Sequence, residues 1–201
     1  MKKLFVHARS GASVCLTGKQ KRCLPRPVTI VSTIQHSHLL QPLAKQLTNA
    51  SIGGVILGCD YRNALRKTGC YLFVGTGLFH PLMLGLKSGK PVYTLNPNDW
   101  MISRVDDCQL ESLQRKRKAS LVRFLHSRVI GILVSTKPGQ EKLRKALSLQ
   151  QRLKKKSYIL LSDSVDVNAL ENFPFVDCFV NTACPRLVED SPLPMVNSED
   201  I

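Results

Sequence analysis

Residues 68–86, TGCYLFVGTGLFHPLMLGL, run for 19 positions without a Lys, Arg, Asp or Glu. That is the length of a membrane-spanning helix, about 20 residues. The punctuation contradicts it, because Gly75, Gly77, His80 and Pro81 all fall in the middle. The stretch reads instead as a buried strand at Tyr71–Val74, a glycine turn, and a helix opening with Pro81 near its first position. No membrane association is expected.

The same alternation continues on either side. Upstream, Val28–Val31 reads as a strand. His36–Asn49 follows as a helix with Leu39, Leu40, Leu43 and Leu47 on one face, Pro42 being the awkward residue. Val55–Leu57 is the next strand. Downstream come a strand at Val92–Leu95 and a turn-rich break at Asn96-Pro97-Asn98-Asp99. A helix near Leu113–Arg128 then places Leu121, Val122 and Leu125 on one side. Val129–Val134 is a strand, Gln140–Leu153 a helix, and Tyr158–Leu161 and Val176–Val180 are strands with a short helix near Val167–Asn172. Alternating strands and helices with short connections imply parallel sheets flanked by helices. The expected fold class is α/β, with two similar three-layer parallel-sheet domains of about seven strands in all. Their spans are 28–99 and 100–187. Residues 188–201 contain proline and acids, and read as an extended acidic tail.

Composition agrees. The chain has 201 residues, 43% of them apolar, which excludes a disordered segment. Seven irregularly spaced cysteines do not make a disulfide scaffold. The start, MKKLFVHARS, shows no secretory signal, so a cytoplasmic, thiol-reduced protein is expected. The net charge is +15. It is uneven: between Arg104 and Lys156, 15 Lys and Arg face four acids. Such a surface either attracts polyanions such as RNA, or acidic proteins, or is a solvated helix face. No aromatic residues interleave with the basic runs to stack bases.

In open parallel sheets, ligands bind beyond the carboxyl ends of the strands. The residues following each expected strand are therefore the candidate site. They include Ser32-Thr33-Ile34-Gln35-His36, Gly58-Cys59-Asp60, Gly75-Thr76-Gly77 with His80, Ser135-Thr136-Lys137-Pro138-Gly139-Gln140, Ser162-Asp163 and Asn181-Thr182-Ala183-Cys184-Pro185-Arg186. Cys59 and Cys184 each follow a parallel strand in a loop with a Gly or Pro neighbour, 125 positions apart. No CxxC pair exists, which argues against a zinc ribbon or a thioredoxin-like site. Compact iron–sulfur spacings are absent too, although single cysteines from separate domains could hold a cluster. The alternative is that both are small apolar residues in tight loops, the reading that suits Cys15, Cys23, Cys70, Cys108 and Cys178. Gly75-Thr76-Gly77 could cradle a phosphate or carboxylate before a helix. His80 either binds a ligand or caps that helix. Lys137 and Gln140 lie in a loop like those that hold anions.

Taken together, six segments resemble the 2-(3-amino-3-carboxypropyl)histidine synthase family, which performs the first step of diphthamide formation. They are Val31–His36, Gly58–Asp60, Phe73–Pro81, Pro91–Leu95, Gly131–Gln140 and Val176–Arg186. They run in family order over most of residues 28–187, and Asn-Thr-Ala-Cys-Pro-Arg and Gly-x-x-Phe-His-Pro are the most telling. The resemblance implies three similar α/β domains around a central cleft, each giving one cysteine to a [4Fe–4S] cluster. Cys59 is then the ligand from the second domain and Cys184 the ligand from the third. It further implies that S-adenosylmethionine binds at the open iron and is cleaved by one-electron reduction. The 3-amino-3-carboxypropyl radical then adds to an imidazole carbon of one histidine in translation elongation factor 2, and methylthioadenosine leaves. Gly75, Gly77 and His80, followed by Gln35, Lys137 and Gln140, are the expected contacts to S-adenosylmethionine.

The family's first domain and its cysteine are expected to precede residue 1, leaving residues 1–27 as its remnant and a linker. The expected partners are therefore elongation factor 2, an electron donor, and a homo-oligomer or partner chain carrying the first domain. Two alternatives of other classes are a non-catalytic or split-gene subunit supporting such an enzyme, and a basic RNA- or ribosome-associated module.

Overall fold

Strand β1 (Val28–Ser32) is buried along its whole length, as an apolar run at the centre of a parallel sheet must be. A computed structural model of the chain describes residues 6, 8–57, 60–62, 64–65 and 68–201. The short helix α1 (Gly18–Arg22) is closed by a capping box, in which the Thr17 hydroxyl accepts from the Gln20 amide and the Gln20 side chain accepts from Thr17. After β1 the chain makes a 3-10 turn at Ile34–Leu39, then helix α2 (Leu40–Gln46). Pro42 is accommodated because α2 starts only two residues before it, inside the first turn, where an amide is not needed for the helix. Strands β2 (Ala50–Val55), β3 (Cys70–Val74), helix α3 (Phe79–Ser88), and strands β4 (Val92–Leu95) and β5 (Ile102–Arg104) complete the first sheet, in the order β2-β1-β3-β4-β5.

Val28, Ile30, Cys70, Leu72 and Val74 form one face of this sheet and pack on Leu40 and Leu43 of α2. Tyr71 and Phe73 alternate to the other face. Val92 shares that face, being in register with Tyr71, and Gly85 of α3 lies within a β-carbon's reach of it. Thus residues 68–86 form a strand, a turn and a helix, and among the described residues no helix is long and apolar enough to cross a membrane.

Helix α4 (Asp107–His126) follows, started by the Asp106 carboxylate accepting from the Cys108 amide at 2.9 Å. Strand β6 (Val129–Ser135), helix α5 (Leu143–Arg152), strand β7 (Lys156–Ser162), a 3-10 turn at Asn168–Asn172, strand β8 (Cys178–Asn181), helix α6 (Arg186–Asp190) and strand β9 (Met195–Asn197) build the second sheet, in the order β7-β6-β8-β9. Ile130, Ile132, Val134, Cys178 and Val180 pack on Phe124 of α4 and Ala146 and Leu149 of α5. On the opposite face, Leu133, Phe179 and Met195 meet Leu170 and Val188. These are the layers expected of an α/β unit, and every pairing in both sheets is parallel except β4 with β5.

Four details differ from the sequence reading. Strand β2 ends at Val55, where the reading had it begin. The buried residue of α4 is Phe124, while Val122 and Leu125 are 54% and 63% exposed. The compact units divide at Glu111/Ser112, not at 99/100. Asn96–Asp99 is a tight link within the first sheet, where the Asn96 amide donates to the Met101 carbonyl at 3.1 Å, and it joins β4 to the antiparallel β5. Lastly, residues 188–201 are no extended tail. Val188, Met195 and Val196 are buried, and β9 pairs in parallel with β8. The acids there have structural partners: Glu189 accepts from the Arg117 guanidinium at 3.0 Å, and Glu199 lies 3.9 Å from Lys142.

Candidate functional site

The two sheets share a strand order. In each, the first strand (β1 or β6) lies between the second (β2 or β7) and the third (β3 or β8). The chain therefore reverses its direction of winding between first and third strands, and a crevice opens beyond their carboxyl ends. The same tripeptide ends both first strands: Val31-Ser32-Thr33 and Val134-Ser135-Thr136.

In the second unit, that crevice is a cavity of about 250 Å³. Its lining includes Ser135, Lys137, Gln140, Asp163, Ala183 and Cys184. Three of the expected site residues, Lys137, Gln140 and Cys184, are thus brought together. The Lys137 amide donates to the Ser135 hydroxyl at 3.2 Å, and the turn is completed by the Gln140 amide donating to the Lys137 carbonyl at 3.0 Å. The Lys137 ammonium reaches the Ser164 hydroxyl at 3.3 Å.

Cys184 is half-buried and free. Its loop is held by Asn181, which is 2% exposed. The Asn181 side-chain oxygen accepts from the Ala183 amide at 2.9 Å, while its nitrogen donates to the Cys184 carbonyl at 2.8 Å and to the Asn197 oxygen at 2.9 Å. The Thr182 hydroxyl donates to the Leu133 carbonyl at 2.7 Å. The loop is therefore set before any ligand arrives, which is how a metal-binding thiol is best presented. Cys70 and Cys178 are different. Burial pushes both thiols up to about 11, so neither readily forms the thiolate a metal requires.

In the first unit, Gly75 and Gly77 follow β3 and His80 lies in the first turn of α3. Gly77 has φ +80°, a left-handed conformation suited to glycine. At Gly75 a β-carbon would come within 2.8 Å of the Phe73 ring. That ring stacks on the His80 imidazole, with centroids 5.9 Å apart and planes 12° apart. Gln35 is exposed in the 3-10 turn, and its carbonyl accepts from the Ser10 amide at 3.1 Å. Next to it, His36 is shifted toward the neutral form by burial, with the nearby His38 adding to the effect, and its Nδ1 lies 2.9 Å from the Ser10 hydroxyl. Asp60 bonds to the Arg62 guanidinium, which holds its carboxyl down at about 2. Cys59 lies outside the described residues.

The repeated Ser-Thr behaves differently in the two units. Ser135 and Thr136 donate to the Asp163 carbonyl and carboxylate, both at 3.3 Å. The Ser32 and Thr33 hydroxyls are buried and have no hydrogen-bond partner. Buried hydroxyls rarely stay unpaired without a ligand or water to meet them. Asp163 and Asn197 were not singled out as site residues from sequence. The available signal was the echo of Phe179-Val180-Asn181 in Met195-Val196-Asn197, two apolar residues followed by an inward amide.

Comparison with known proteins decides the family. The diphthamide synthesis protein model matches residues 3–193. The chain belongs to the diphthamide synthesis protein family. It is similar to the 2-(3-amino-3-carboxypropyl)histidine synthases of Pyrococcus horikoshii, 31% identical over 93% of this chain, and Methanocaldococcus jannaschii, 33% identical over 82%. It spans 59% and 46% of those two proteins' lengths. A human relative, 26% identical over 81% of this chain, is named subunit 1 of such a synthase. Among solved structures, Dph2 from P. horikoshii superposes with a TM-score of 0.78 at 29% identity, over 89% of this chain and 57% of that one. The same protein with a 4Fe-4S cluster superposes with a TM-score of 0.77 at 28% identity, with the same coverage.

Within this family member, the donors of such a cluster can be tested on the residues present. Among the described residues no group of three or more His, Cys, Asp or Glu gathers closely enough to hold a metal ion. Cys184 by itself suits the role of one ligand: it is free, at a cavity, and on a fixed loop. That donor set agrees with a cluster held by single thiols from separate domains.

Proposed function

We propose that the chain supplies the second and third domains of a transferase. The enzyme would move the 3-amino-3-carboxypropyl group of S-adenosylmethionine onto a histidine of translation elongation factor 2 and release methylthioadenosine. The observation that carries this reading is the preset Cys184 loop, on the crevice edge of a chain that matches the family through residue 193. Cys59 and Cys184 would each hold one iron of a [4Fe–4S] cluster, and a third thiol would come from a first domain or a partner chain. When bound, the cluster supplies the single electron that breaks the sulfonium at its aminocarboxypropyl side.

This chain's own residues bind and orient. The Lys137 ammonium and the Gln140 amide would meet polar groups of S-adenosylmethionine at the Cys184 cavity. Gly75, Gly77, His80 and Gln35 would meet it from the first unit, where the unpartnered Ser32 and Thr33 hydroxyls supply further donors. The six described cysteines are all free, which suits a reducing compartment such as the cytoplasm.

Anaerobic reconstitution with iron and sulfide, in the presence of a chain bearing the first domain, tests the reading. The expected result is a broad visible absorbance that Cys59→Ala or Cys184→Ala abolishes and Cys178→Ala leaves intact. With a reductant and S-adenosylmethionine, methylthioadenosine should accumulate. Equal absorbance in all three variants would overturn the assignment.

A further inference from the structure

A second cavity, of about 340 Å³, lies at the other end of the second sheet. Arg123, His126, Ser127, Arg128 and Asp177 line it. Arg123 and His126 belong to the last turn of α4, Arg128 immediately precedes β6, and Asp177 immediately precedes β8. The cavity is therefore at the amino ends of the strands, away from the Cys184 crevice at their carboxyl ends.

The C-terminus of a helix ordinarily repels anions, because its last carbonyls are unpaired and its dipole is negative there. Here Lys155 removes that obstacle. Its ammonium donates to the carbonyls of Phe124, Leu125 and Ser127 at 2.7, 2.7 and 2.9 Å. With the carbonyls occupied, the two guanidiniums and the imidazole at the cavity bear no ion pair or side-chain hydrogen bond to any described residue.

Asp177 adds a different chemistry. Its Oδ2 accepts from the amides of Arg128 and Val129 at 2.8 and 2.9 Å. Those bonds fix the carboxylate in place, and Oδ1 carries no hydrogen bond from a described residue. A fixed acceptor beside two guanidiniums matches a ribose hydroxyl next to a phosphate. The positive surface extends beyond the cavity. Lys156 is in register with Val129, and Arg152, Lys154 and Lys156 are all exposed.

We propose that this cavity binds a ribose-phosphate unit of an RNA strand, with Arg123, Arg128 and His126 on the phosphate and Asp177 on the 2′-hydroxyl. The exposed Arg152, Lys154 and Lys156 carry the neighbouring phosphates, which favours a polymer over a single nucleotide. The basic runs contain no aromatic platform, so recognition is of the backbone and not of base identity. The proposal is independent of the transferase reading, since it uses none of the same residues.

Fluorescence anisotropy of the full chain with a labelled oligouridylate of about 12 nucleotides tests it, with oligodeoxyuridylate and uridine monophosphate as competitors. The ribo-oligomer is expected to bind about tenfold more tightly than either competitor. Arg123→Gln with Arg128→Gln should weaken binding at least about tenfold and flatten the log–log salt slope by about 1.4, since each lost phosphate contact removes about 0.7 on a single strand. Cys184→Ala should bind as the unaltered chain does, and far-UV circular dichroism should show that the double variant remains folded. The proposal is overturned if the folded double variant binds RNA normally, if the deoxy-oligomer or the mononucleotide competes equally well, or if the unaltered chain binds no RNA.

Discussion

Asn181 sets the position of Cys184 without touching a ligand itself. Its amide joins the β8 end, the Cys184 loop and Asn197 in β9, and it is only 2% exposed. Asn181→Ala leaves the Ala183 amide and the Asn197 oxygen without their partner. The expected loss is about 1–3 kcal/mol, read from urea unfolding. The cysteines offer a second measurement at this scale. Thiols raised to about 11 are ionised to about one part in a thousand at pH 8, and Cys70 and Cys178 are also buried. Brief iodoacetamide treatment followed by peptide mapping should label Cys184 well before either of them; equal labelling would contradict the burial seen here. Cys184 could be picked out from sequence because residue type and the preceding strand sufficed. Asn197 could not, because its role depends on a strand whose apolar part is only two residues long.

Among the elements, those built on long apolar runs were legible. β1, β3, β6 and β8 are parallel strands buried on both faces, and such strands advertise themselves as continuous Val, Ile, Leu and Phe. Edge strands do not. β5 and β9 are three residues each, and β5 is half-exposed and charged. The register of α4 was misread because charged residues occupy most of its faces. Its inward stripe includes Arg117, whose stem is covered while its guanidinium meets Glu189. The α4–β6 turn depends on Asp177, whose carboxyl is held below its ordinary value of 3.8 chiefly by the backbone amides of Val129 and Arg128. A depressed carboxyl contributes stability that is fully present above its unfolded value and is lost as pH falls through the folded one. The stability of the chain should therefore decline below about pH 4, and Asp177→Asn should make that acid limb shallower in thermal melts from pH 5 down to pH 2.

At the scale of the molecule, two units each have their own sheet and core, and the second contains four strands drawn entirely from residues 129–197. A fragment of residues 105–201 keeps that sheet together with the helix start at Asp106. It is expected to give a cooperative melt and dispersed amide resonances; a spectrum without dispersion would show that the unit depends on the rest of the chain. The two-unit plan was visible in sequence because the strand–helix rhythm restarts after Leu95. The boundary was not, since a Pro-Asn-rich hairpin link looks the same as an interdomain linker until its strands are paired. The Asn181–Asn197 amide pair also has a chemical consequence over time. Loss of ammonia from Asn197, which precedes Ser198, would leave a carboxylate at a site only 6% exposed, accepting one bond from Asn181 and otherwise poorly solvated. Ageing of stored protein should thus appear as a gradual loss of thermal stability in the second unit, accompanied by a mass gain of about one dalton in the peptide containing Asn197.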